Sequence, residues 1–78
     1  VQLCDALVSA PEQLVVEALD GRLTLGAGEL AVSELVDVLP SHTAISLEIR
    51  SARLRSAHPD PAERARHVLS TTRAFLQR

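Results

Sequence analysis

Tryptophan, tyrosine and lysine are absent from this 78-residue chain, and phenylalanine and cysteine occur once each. With Phe75 as the only Phe, the core has to be assembled from Leu, Val, Ile and Ala. A lone Cys4 excludes an internal disulfide framework and a CxxC metal knuckle. No apolar run approaches the ~20 residues that cross a bilayer. No signal peptide is visible, so the expected compartment is the cytoplasm and no membrane partner is expected. Seventy-eight residues allow one domain at most, and chains of this size bury only about 60% of their unfolded surface. Even so, 46% hydrophobic and 23% charged residues separate the sequence from disordered chains. Together with a first residue that is Val1, the shortage of large side chains points to a portion of a longer protein.

The net charge of −2 conceals a division along the chain. Residues 1–40 hold seven acids and one Arg, whereas residues 41–78 hold three acids and seven Arg. A basic half can signal nucleic acid. Here Arg64, Arg66, Arg73 and Arg78 fall on an amphipathic helical pattern, which reads as a solvated face, and no nucleic-acid partner is expected.

Apolar spacing and breakers predict strand, helix, glycine loop, helix, strand, loop, helix. Val1–Cys4 reads as the end of a buried strand. Ser9-Ala10-Pro11-Glu12 has the form of a capping box for a helix running to Leu19. All three glycines (Gly21, Gly26 and Gly28) then fall within eight residues. Ala31–Leu39 carries a helical stripe that Pro40 ends. Thr43–Ile49 is the clearest strand; parity puts Thr43, Ile45, Leu47 and Ile49 on one face and Ala44, Ser46, Glu48 and Arg50 on the other. Asp60-Pro61-Ala62-Glu63 opens the last helix, with Ala65, Val68, Leu69, Thr72 and Phe75/Leu76 as its stripe. Two strands joined through a helix imply a parallel pair. The glycines lack a following Lys-Ser/Thr and do not directly follow a strand, which speaks against a nucleotide loop.

Three stretches in order, "VQLCDA", "GRLTLGAGEL" and "AISLEIR", followed by "DPAERARHVL", resemble the C-terminal end of a xylose-isomerase-like TIM barrel, the sugar phosphate isomerase/epimerase superfamily. The resemblance spans essentially the whole chain. It implies an α/β fold consisting of the last two βα units of a (β/α)8 barrel: strand 7, glycine loop, helix 7, strand 8 and helix 8. As an isolated chain that architecture is incomplete, since a barrel of this kind takes ~250 residues.

What the family implies is an enzyme with one divalent metal ion (Mg, Mn, Co or Zn) at the barrel mouth. A sugar or hydroxy-carbonyl substrate chelates that ion while carboxylates move a proton. Glu48 matches the metal-ligand Glu on the last strand, and its parity and place at the strand's C-terminal end agree with that role. Gln2 stands where many members carry a His ligand, which is a departure from the pattern and leaves retention of the metal open. Asp5 and Arg22 are the candidate substrate-binding residues, Asp5 at the end of the first strand and Arg22 in R-x-x-x-G-x-G. No catalytic residue is assignable within the chain.

Arg50, Arg53 and Arg55 follow the last strand, where barrels can hold a phosphate, although solvated surface Arg is the stronger reading. His42 belongs at the barrel bottom, His58 in a loop, and His67 in a surface pair with Glu63. Cys4 shares parity with Gln2 and reads as packing. The principal functional expectation is a metal-dependent sugar (phosphate) isomerase/epimerase, with room for a homo-oligomer of the parent protein. A non-catalytic or inactive relative is the alternative. An abasic-site endonuclease of the same superfamily ranks third, because Gln2 and the acidic first half argue against it.

Overall fold

A computed structural model describes residues 1–9 and 12–77. It is a small mixed α/β arrangement of β1 (Gln2–Leu3), α1 (Leu14–Asp20), α2 (Val32–Val38), β2 (Ser46–Leu47), α3 (Ala52–Ala57) and α4 (Pro61–Leu76).

The two strands pair in parallel, with Gln2 opposite Ser46 and Leu3 opposite Leu47. The expected parallel pair is therefore present, but its ladder is much shorter than the Thr43–Ile49 pattern. Pairing is limited by the partner: beyond Leu3 the chain turns away, and Asp5 pairs antiparallel with Leu23 instead. Backbone bonding does continue before the ladder, where the Val1 amino group donates to the Ala44 carbonyl and Ser46 N–H donates to Val1. Exposure still alternates along 43–50: Thr43, Ile45, Leu47 and Ile49 are half-buried, and the residues between them are exposed. The period of two fixes the faces even where hydrogen bonding is sparse.

Leu3, Leu25 and Val32 form the buried cluster, with Val36, Ile45, Leu47 and Phe75 packed against it. It joins β1, the glycine loop and α2, as a crossover helix over a parallel pair requires. Two further connections tie the sheet's far end. Gly21 bridges to Ser51, and Arg22 N–H donates to the Arg50 carbonyl at 2.9 Å. Segment 21–23 thus laces across the C-terminal ends of both strands.

Helix starts follow their caps. Asp60 accepts from Glu63 N–H at 3.2 Å ahead of Pro61, so the α4 start agrees with the sequence pattern. Ser51 accepts from Leu54 N–H at 3.1 Å and begins α3, a helix in a stretch the pattern assigned to a loop. The capping box includes Ala10 and Pro11, which lie outside the described residues. α1 begins at Leu14 with no side-chain cap.

The buried face of α4 is centred on Thr72, with Val68 and Phe75 half-buried, whereas Ala65, Leu69 and Leu76 are exposed. α1 buries none of its residues: Leu14 is 65% exposed and Val15 71%. Among the described residues, no helix is long and apolar enough to cross a membrane.

Candidate functional site

The parallel register sets the two strands' exposed faces side by side, with Gln2 opposite Ser46. Gln2 reaches diagonally to Glu48, the residue after β2: its amide Nε2 donates to Glu48 Oε2 at 2.9 Å. Both residues are exposed. They line an open cavity of ≈ 260 Å³ together with Cys4, Arg22 and Arg50. Cys4 is half-buried at its edge. Two guanidinium groups and one carboxylate make this lining net positive.

Arg22 is held by Glu17 of α1, Nε to Oε1 at 3.2 Å, with both side chains about a third or less exposed. It is therefore a partnered loop Arg at the cavity wall, rather than a free one. Arg50 Nε donates to the Leu19 carbonyl at 3.2 Å, which ties the cavity to the end of α1. Arg55 pairs with Asp20. Of the three Arg residues following β2, only Arg50 lines this cavity.

Asp5 does not face the Gln2–Glu48 cavity. It is 1% exposed and is the most deeply buried side chain described. Oδ1 accepts from Ala6 N–H at 2.8 Å and Leu30 N–H at 3.1 Å, while Oδ2 accepts from Gly26 N–H at 3.0 Å. Both oxygens are engaged by backbone donors, so Asp5 organises the glycine loop from inside. This also accounts for the glycine spacing. Gly26 has φ +88°, in the region that disfavours a side chain, and an added Cβ would stand 3.0 Å from Phe75 Cδ2. At Gly28 an added Cβ would stand 2.3 Å from Asp5 Oδ1 and 2.6 Å from the Ala6 carbonyl. The loop closes around a carboxylate that belongs to the protein itself.

His42 is exposed in the turn after α2, away from both strands' C-terminal ends. His58 lies in the loop between α3 and α4, as expected, and His67 stacks on it rather than pairing with Glu63: the ring centroids are 4.2 Å apart and the planes 24° from parallel. The pairing joins residues nine positions apart across the Pro59–Pro61 corner, and no spacing rule for one helix anticipates it.

Among the described residues, no group of three or more His, Cys, Asp or Glu side chains converges as a metal site. The donor set at Glu48 fits a divalent ion in part. The Glu48 carboxylate is a hard ligand suited to Mg²⁺ or Mn²⁺, whereas Gln2 faces it with its amide N–H, so further oxygens would have to complete the shell. Compared with protein-family models, with curated proteins and with solved structures, the chain matches none of them.

Proposed function

We propose that this chain is the last two βα units of a xylose-isomerase-like barrel and contributes Glu48 and Arg22 to a metal-dependent sugar or hydroxy-carbonyl isomerase/epimerase. The observation carrying the proposal is the meeting of Gln2 of β1 with Glu48, the residue that follows β2, in one cavity with Arg22 and Arg50. The C-terminal end of a parallel sheet is where α/β folds bind ligands.

In this reading Glu48 holds the divalent ion through its carboxylate, and Gln2 orients that carboxylate through its amide N–H. A bound divalent ion supplies polarisation of the substrate carbonyl. Arg22, braced by Glu17, presents N–H donors to a substrate oxygen. Asp5 is assigned no substrate contact, since its oxygens hold the loop. The proton-transferring carboxylates belong to other parts of the parent protein. A second reading, a binding module without metal, draws support from the Gln2 amide on Glu48 and from the two guanidinium groups, which favour an anionic or polyhydroxyl ligand over a cation.

Metal analysis of the purified protein separates the two readings. The isomerase reading expects bound Mg²⁺ or Mn²⁺ that is lost in Glu48→Gln, and metal retained with weakened substrate binding in Arg22→Gln. A protein that purifies without divalent ion, and in which Glu48→Gln changes neither metal uptake nor turnover, contradicts it.

A further inference from the structure

A second cavity, of ≈ 220 Å³, lies between the glycine loop, the end of β2, α3 and the first half of α4. It shares no lining residue with the Gln2–Glu48 cavity. Its apolar lining includes Leu23, Ile49 and Leu54; the polar groups are Thr24, Ser51, Arg53 and the stacked pair His58–His67. Arg53 is the one permanent cation in that lining, and no carboxylate lines it. Among the described residues its guanidinium has no ion-pair partner, whereas those of Arg22 and Arg55 do.

The polar end is built rather than loosely placed. His58 ends α3 with its N–H donating to the Leu54 carbonyl at 2.9 Å. Its own carbonyl accepts from Arg64 Nη1 at 3.0 Å, which clamps the corner to α4 and brings His67 onto His58. Stacked imidazoles are poorly arranged to chelate a metal, because a ligated ion lies in the plane of each ring. Both half-buried rings line the cavity, and each imidazole carries an N–H that can donate. Arg53 adds a planar fork of donors suited to a carboxylate.

We propose that this cavity binds a small monocarboxylate, its head on Arg53 and the His58–His67 pair and its short hydrocarbon body against Leu23, Ile49 and Leu54. A monoanion matches the single permanent charge, whereas a dianionic phosphate would leave negative charge uncompensated against an apolar wall. The volume is below the ~300–1,000 Å³ of sites for drug-sized ligands, so the body is short. The proposal stands independently of the isomerase reading.

Titration of the 78-residue chain with butyrate, butyl phosphate and butanol tests it, followed by NMR of the three His rings. Butyrate is expected to shift His58 and His67 and to leave His42 unmoved. Butyl phosphate should bind several-fold more weakly, and butanol should produce no saturating shift. Arg53→Gln should weaken butyrate about tenfold or more, the loss of one charge-assisted contact, with Arg53→Lys in between. Arg53 is exposed, so neither change touches the core. Equal shifts from butanol, tighter binding of butyl phosphate, equal movement of His42, absence of any butyrate shift, or undiminished binding in Arg53→Gln would each overturn the assignment.

Discussion

Removing the Asp5 carboxylate should unmake the glycine loop, and the size of the effect follows from three bonds. Asp5→Ala leaves the N–H groups of Ala6, Gly26 and Leu30 without their acceptor. Hydrogen bonds to a charged partner contribute roughly 1.5–3 kcal/mol each, and allowing for overlap and partial rehydration the loss is about 3–5 kcal/mol. Native domains of this length have total stabilities of order 4–12 kcal/mol, so a loss of this size removes a large part of what a fold of 78 residues can have. Asp5→Asn should be milder. With its amide oxygen in the place of Oδ1 it keeps Ala6 and Leu30, and only its NH₂ opposes the Gly26 N–H, a loss of about 1.5–3 kcal/mol. Gly28→Ala should cost about 1–3 kcal/mol by overpacking, because its Cβ meets Asp5 Oδ1 and the Ala6 carbonyl. In the Asp5→Ala background the carboxylate is gone, so Gly28→Ala should be less damaging there than alone, a coupling of about 0.5 kcal/mol or more. With no Trp or Tyr, urea unfolding is followed by far-ultraviolet circular dichroism. Hydrogen exchange at the Gly26 and Leu30 amides reports the loop itself. Asp5→Ala within about 0.5 kcal/mol of the parent, equal damage from Asn and Ala, or strict additivity with Gly28→Ala would refute this account of the loop.

Other substitutions address separate links. Gly26→Ala should lose about 1–2 kcal/mol to its left-handed backbone, and Phe75→Leu in the same chain should not restore that part, as urea midpoints will show. Asp60→Ala and Ser51→Ala each remove a helix cap and should lower stability by about 1 kcal/mol in the same assay. Glu17→Gln should change stability by less than about 1 kcal/mol, since its pair with Arg22 is partly exposed. Val15→Thr on the exposed face of α1 should leave stability within about 0.5 kcal/mol and reduce self-association in sedimentation velocity.

Much of the scaffold is legible from local pattern. The two-residue period of Thr43–Ile49 puts Leu47 on one face and Glu48 on the other, and exposure in the structure alternates with the same period. The Asp60-Pro61 start of α4 needs only its own neighbours, and so it too is legible. α3 was less so, because 50–59 is rich in Arg and ends in Pro59. Its one local signal is Ser51 ahead of Ala52-Arg53-Leu54-Arg55, good helix formers behind a good N-cap.

The site residues divide by range of interaction. Glu48 is recognisable from position and parity within one strand, and Gln2 meets it through the parallel register. Asp5 is not, because two of the backbone groups that define its role lie 21 and 25 residues away. A carboxylate at a strand end resembles a ligand-binding group until those partners are known. Similarly, His58 and His67 come together only when α3 and α4 fold back at Pro59-Asp60-Pro61.

The central claim is that Glu48, beside Gln2, is the group through which this chain engages a divalent ion. Paramagnetic broadening by substoichiometric Mn²⁺ tests it most directly, read at the Gln2 side-chain NH₂ resonances in the parent and in Glu48→Gln. The account predicts that the Gln2 signals broaden before those around Glu12, Glu34 and Asp37, and that Glu48→Gln abolishes this preference. Broadening spread evenly over the acidic residues, or a Gln2 response that survives Glu48→Gln, would contradict it.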